Sequence, residues 1–371
     1  MPYVIVDPVP WRSLIGAFER AEATLARLDE RLAGSPVADG WRARADYSEA
    51  GASLRLEGAL VPLEDLVLND AAMDIRAPTA ELARAATVLA TRRLMTGAPA
   101  DEPFTPVGLA RLKGVADPRR DGDRLEPATP TRQRTAEPDA MASLFADLDA
   151  VLARTSRHLA GEEPVADSRP VAPTHDRRTR QAEPDDDDGE AALAEWCDVV
   201  AATGGQPAML AAAVAVDAWT VLQPIPSRPW LGPLLGAALL RRRGKTLNHL
   251  ACLNAGLLEG RRGPTPAGAT GRLVRILDGI AAGARIGLED HDRLLLVHRR
   301  LAARLAGRRK NSRMPDLVDF LLAKPIITVA MAAAALDISP QAIQVLLADL
   351  DPVVRDITGR RRYRAFTALP G

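Results

Sequence analysis

The chain has 371 residues, of which 47% are hydrophobic and only 4% aromatic, with 48 basic and 48 acidic residues and a formal net charge of zero. That length fits two or three folded units, and so few aromatic residues call for a core of Ala, Leu and Val in closely packed helices. The even charge balance excludes a polycation, so any affinity for nucleic acid must come from a local patch.

Met1 to Pro10 holds no basic segment followed by an apolar run, so no secretory signal is expected. Trp11 to Leu32 then has helical periodicity through Leu14, Ala17, Phe18, Ala21, Leu25 and Leu28, and Ser48 to Met95 carries two or three more helices. Together they make an N-terminal helical region over residues 1–97. Residues 98–138 hold many Pro, Gly, Asp and Arg residues, with Leu109 to Leu112 as their one secure element, and are expected to be linker. A helix over 139–160 follows (Met141, Leu144, Phe145, Leu148, Leu152), then an acidic, disordered linker over 161–190 with the run Asp185 to Asp188.

Residues 191–310 are Ala/Leu-rich and helical, with a Pro-interrupted turn at Gln223 to Pro233. Leu288 to Arg308 is predicted as one amphipathic helix with Leu294, Val297, Leu301 and Leu305 on a stripe. The apolar stretch Pro207 to Leu240 is broken by Asp217, Pro224, Pro226, Arg228 and Pro229, too often to span a membrane. Cys197 and Cys252 lack metal-ligand or CxxC spacing and are expected as buried free thiols in a cytoplasmic protein. Gly244-Lys245-Thr246 has no glycine five positions earlier and no preceding strand, so a basic helix end is expected rather than a phosphate loop. His249, His291 and His298 have no carboxylate or Cys at ligand spacing, so no metal site is expected.

After a basic hinge at Arg308 to Arg313, residues 315–371 carry the pattern of a winged helix-turn-helix. A first helix runs from Pro315 to Ala323, and a second from Val329 to Leu336, ending at Asp337-Ile338. Ser339 caps a third helix with Pro340 at its first position, and Ile343, Leu346, Leu347 and Leu350 form its apolar stripe. Gln341, Gln344 and Val345 fall on the opposite face. Val353 to Ile357 and Arg361 to Phe366, separated by Thr358-Gly359-Arg360, have hairpin chemistry and carry Arg355, Arg360, Arg361, Arg362 and Arg364. In such a module the recognition helix enters the major groove of duplex DNA and the wing meets phosphate. Gln341 and Gln344, with Ser339 at the helix start, are the candidates for the base face, and the five arginines for the backbone. The helix carries no Lys or Arg and ends at Asp349. A packing or dimerisation module is the competing reading.

Two further stretches resemble the Fic family. Ser48 to Gly58 followed by Leu63 to Leu68 is similar to its N-terminal region, whose inhibitory helix carries Ser or Thr, three residues, then Glu and Gly or Asn; here these are Ser53, Glu57 and Gly58. Ala218 to Ile225 followed by Leu231 to Leu235 stands where Fic enzymes hold H-P-F-x-[DE]-G-N-G-R-x-x-R. The resemblance implies a base, a metal carboxylate and a phosphate cradle there. This chain instead has Gln223, Pro224, Ile225, Ser227 and Arg228, and an amide cannot act as a base at neutral pH. The family's winged helix, with its P-[IV]-[IV]-T lead and T-G-R-x-R wing, matches Pro325 to Thr328 and Thr358 to Arg362. The second motif Arg that Glu57 would pair with is absent, so a helix-helix contact is its expected role. The chain also resembles uncharacterised α-proteobacterial proteins with an unassigned central domain and a terminal helix-turn-helix.

The expected protein is thus mainly α, a Fic-like helical core without catalytic residues, metal or cofactor, joined to a winged helix-turn-helix. Its expected role is transcriptional regulation through double-stranded DNA, as a homodimer, with an unknown small-molecule effector and no membrane contact. The alternatives are a nucleotide-dependent AMP transferase with an altered site, and a plasmid-maintenance or toxin-antitoxin interaction protein.

Overall fold

The apolar repeat of the first helix becomes α1 (Trp11–Leu32) in the computed structural model, with Leu14, Ala17, Ala21, Leu25, Leu28 and Leu32 buried. Residues 2–72, 77–115, 186–261, 268–305, 313–357 and 364–368 are described, all within one compact unit formed by Met1–Asp121 and Pro184–Gly371. The helix expected over 139–160, most of the acidic tract before it meets the core, the hinge arginines before Arg313 and the wing tip with Arg360, Arg361 and Arg362 lie outside the described residues.

The N-terminal region continues with α2 (Ala38–Leu56), α3 (Leu63–Asp70) and α4 (Ala80–Gly97). Within the stretch expected as linker, a 3-10 turn (Glu102–Phe104) and α5 (Pro106–Gly114) form. Thr105 caps α5 by accepting from Gly108 N, and Leu109 and Leu112 are buried, so a short helix forms around the one secure element expected in this stretch. Helix α6 (Asp186–Ala202) starts inside the acidic run expected as linker.

Helix α7 (Ala208–Leu222) is the centre of the core. Every residue from Ala208 to Trp219 is buried, as a helix apolar on all sides requires. Around it stand α8 (Leu231–Arg242), α9 (Leu253–Gly260) and α10 (Gly268–Leu305). The last is a correction to the helix expected from Leu288: it starts at Gly268 and spans 38 residues, about 57 Å. Gly279, Gly283 and Gly287 lie on its buried stripe, where they admit neighbours rather than break the helix. A Cβ on Gly283 would sit 2.3 Å from the Cys252 carbonyl oxygen, and Trp41 Nε1 donates to the Gly287 carbonyl at 2.9 Å. Among the described residues no single helix is long and apolar enough to cross a membrane.

Buried polar groups tie these helices together. Asp29 of α1 accepts from Leu247 N (3.0 Å), Asn248 N (2.9 Å) and His249 Nδ1 (2.9 Å), fixing the loop before α9. Burial alone would raise the Asp29 pKa, but the His249 contact and the two backbone N–H groups outweigh it and bring it to about 2. Burial holds His249 below its usual value against the pull of Asp29. Both folded-state values lie below the unfolded ones, so both contributions are complete above the unfolded pKa values and are lost as pH falls. The urea midpoint should therefore drop first below about pH 6.5 and again between about pH 4 and 2. In Asp29→Asn the second drop should flatten, and an unchanged profile would refute the assignment.

The C-terminal module comprises α11 (Met314–Ala323), β1 (Ile327–Thr328), α12 (Val329–Leu336), α13 (Pro340–Ala348), β2 (Val354–Asp356) and β3 (Ala365–Ala368), with an antiparallel sheet ordered β1-β3-β2. It is clamped to the core through α2. Arg44 donates to the carbonyls of Leu321 (2.7 Å), Leu322 (3.0 Å) and Lys324 (2.8 Å), satisfying the end of α11. Lys324 in turn donates to the Tyr47 hydroxyl at 3.2 Å. At the far end of α10, Arg304 reaches the Asp351 carbonyl at 3.1 Å.

Candidate nucleic-acid interface and a core cavity

Two caps define the helix-turn-helix. Thr328 Oγ1 accepts from Met331 N at 3.1 Å to start α12, and Ser339 Oγ accepts from Ala342 N at 3.2 Å to start α13. Between them Asp337 takes a left-handed conformation (φ 52°) and closes α12, a position at which Asp is among the tolerated residues. The two helices meet at 111°, within the range of helix-turn-helix pairs. Ile343 and Leu347 are buried while Gln341, Gln344 and Val345 are exposed, so the amphipathic reading of α13 holds in register. Val345 is 64% exposed, an apolar side chain beside two amides.

The strands pair as Val354↔Ala368, Arg355↔Thr367 and Asp356↔Phe366, with Ile327↔Phe366 on the other side of β3. Arg355 is exposed and has no ion pair among the described residues. Arg364 differs, because its Nε is 2.6 Å from Asp356 Oδ2 and its guanidinium lies 4.9 Å from the Phe366 ring centre. That pairing offsets part of its charge.

The core motifs separate into two places. Ser53, fully buried, donates to the Glu49 carbonyl at 2.8 Å, and Glu57 ion-pairs with Arg84 of α4. Both line a cavity of about 240 Å³. Gly58 has φ 85° just past α2, and Ala59 N bonds back to the Leu54 carbonyl at 2.9 Å, a glycine helix terminus. Gln223 caps α7 in a left-handed conformation (φ 47°) and is exposed. Pro224 is buried, Ile225 and Ser227 half-buried, and none of Gln223, Ser227 and Arg228 lines the cavity. Arg228 is buried and donates to the Leu112 (2.8 Å) and Val115 (2.5 Å) carbonyls, anchoring α5. Gly244 has φ 71° and Lys245 pairs with Glu22 of α1. Among the described residues no group of three or more His, Cys, Asp or Glu side chains is arranged to hold a metal ion.

A family model described as an HTH DNA binding domain matches residues 314–369, and one described as a protein of unknown function (DUF1612) matches residues 182–306. A Sinorhizobium fredii protein described as uncharacterized protein y4cF is 38% identical over 377 residues, covering 95% of this chain and 96% of its own. The chain belongs to the y4cF family. A crystal structure of a Fic family protein from Desulfovibrio desulfuricans aligns with a TM-score of 0.46 and 13% identity, over 100% of this chain and 98% of its own.

In this y4cF-family chain several polar groups of the core escaped the sequence reading. Asp217, 1% exposed on α7, accepts from Arg272 Nε (2.6 Å) and Nη2 (3.0 Å) and from the Tyr3 hydroxyl (2.8 Å). Burial, followed by the charge of Asp217, pushes the Tyr3 hydroxyl pKa up. Glu49 is wholly buried and accepts from Asn254 N (2.8 Å) and Ala255 N (3.0 Å), holding the start of α9. Burial raises its pKa against the pull of Arg92 and those N–H groups. One signal was available: a single acid inside the apolar run Ala208 to Trp219 must be paired if the run is buried.

Proposed function

We propose that the protein is a sequence-preferring DNA-binding regulator whose core performs no adenylyl transfer. The observation that carries this is α13, which presents Gln341, Gln344 and Val345 together to solvent from a firmly capped helix-turn-helix. An amide can pair with an adenine edge and a valine methyl can meet thymine. Arg355 supplies phosphate contact on the described part of the wing, and Arg360, Arg361 and Arg362 are candidates for the same role. Arg364 contributes less because Asp356 holds it. With no basic residue on α13, discrimination comes from two copies on half-sites about one helical turn apart.

Supporting the inactive core, Gln223 offers no proton acceptor and the Arg228 guanidinium is occupied by two carbonyls. Incorporation of label from ATP by the protein would contradict that part. Mobility shifts with genomic fragments should show binding that weakens steeply with salt. Arg355→Ala should weaken all sequences alike and reduce the salt slope by about 1, whereas Gln344→Ala should relax preference at one position by about 1–3 kcal/mol. Absence of salt-sensitive binding would refute the reading.

A further inference from the structure

The cavity beside Glu57 lies between α2, α7, α9 and α10, and most of its wall is apolar, including Leu56, Trp230, Leu257 and Ile276. Of the polar groups on that wall, three have unmet hydrogen-bonding or ionic capacity. Asn254 is fully buried, and its Nδ2 donates to Glu49 Oε1 (3.1 Å) and to the Trp230 carbonyl (3.3 Å). The amide orientation is thereby set, and Oδ1 is left as a buried acceptor with no donor among the described residues. Glu57 engages Arg84 through Oε2, while its Oε1 is likewise buried without a donor. Arg275 lies one turn along α10 from Arg272. Arg272 is committed to Asp217, but Arg275 is half-buried with no hydrogen bond or ion pair among the described residues.

These deficits complement one another. Two buried acceptors lack donors and one guanidinium lacks an anion, all on the wall of a mainly apolar space, and such groups are ordinarily satisfied in folded proteins. We infer that the cavity binds a small apolar carboxylic acid that carries, apart from its carboxylate, a hydroxyl or N–H donor. The carboxylate pairs with Arg275, the donor meets Asn254 and Glu57, and the apolar body lies against Trp230. Two of the bounding helices also hold the C-terminal module, α2 through Arg44 and α10 through Arg304. Occupancy therefore biases DNA affinity; this coupling rests on the DNA-binding reading, whereas the acid site does not.

Calorimetric titration of the full chain with 4-hydroxyphenylacetate, phenylacetate and tyramine tests the site. The hydroxy acid should bind with a Kd of about 1 mM or tighter. Phenylacetate should be about tenfold weaker or more, because the buried acceptors stay unpaired. Tyramine, with an ammonium in place of the carboxylate, should give no saturable heat. Arg275→Gln should weaken the hydroxy acid about tenfold, and Thr220→Trp, at an exposed position on the cavity wall, should abolish binding while melting like the parent. No saturable heat from any of the three, equal affinity for tyramine, or unchanged affinity in Arg275→Gln overturns the site. With the hydroxy acid saturating, DNA affinity should change about fivefold or more. Acid binding with unchanged DNA affinity overturns the coupling alone, and acid binding by a chain that shifts no DNA overturns the regulator reading while the site stands.

Discussion

Arg92→Met should lower the unfolding free energy by about 3–5 kcal/mol, the cost of breaking a buried ion pair from one side. The Arg92 side chain is 2% exposed. It reaches from α4 to Asp46 Oδ1 (2.7 Å) on α2 and to the carbonyls of Leu250 (2.6 Å) and Ala251 (3.1 Å) before α9. The surrounding acids hold its pKa up against burial, which would lower it. Methionine fills similar space but leaves a carboxylate and two carbonyls without donors. Against a total of about 5–15 kcal/mol for an ordinary domain, that is a large share. Urea unfolding should show the midpoint falling with an unchanged slope. Adding Asp46→Asn should recover part of the loss, because the stranded charge is then gone. Strictly additive losses would show that the two side chains do not act as a pair.

Gly256→Ala should cost about 3 kcal/mol, at the upper end for overpacking, since the obstruction is backbone rather than a yielding side chain. A Cβ there would lie 1.8 Å from the Gly279 carbonyl oxygen and 2.6 Å from Gly283 N. Helices α9 and α10 must separate to admit it. That movement displaces Asn254 and Leu257, so the cavity should lose its acid affinity along with stability. Gly51→Ala is the control: nothing lies within 4 Å of its added methyl, and helix preference predicts a gain of about 0.5–1 kcal/mol. Calorimetric melting of both variants decides the matter, and equal melting temperatures would contradict the close approach of the two helices.

The sequence was most legible where local signals agreed. Helix α1 shows a regular apolar repeat, and α12 and α13 combine such a repeat with Thr328 and Ser339 caps. The first half of α10 was hidden because Gly279, Gly283 and Gly287 look like breaks until their neighbours are known. What they admit, Leu257, Cys252 and Trp41, comes from distant parts of the chain. The candidate site divides the same way. Gln341, Gln344 and Val345 follow from the phase of one helix. Ser53 and Glu57 could be singled out by motif, but their companions Asn254 and Arg275 lie on other helices, and only tertiary packing gathers them.

The Arg44 clamp bears on how such a chain can be rearranged by recombination. A fusion that moved only the segment after α10 to another protein would carry the helix-turn-helix but leave behind the guanidinium that completes the end of α11. Three carbonyls would lose their donor, and the surface of α2 against which Gly40 admits the Leu322 carbonyl at close range would be missing. The unit that recombination must keep together is therefore discontinuous: the helix-turn-helix together with the N-terminal half of α2, joined by contacts 277 and 278 residues apart in the chain.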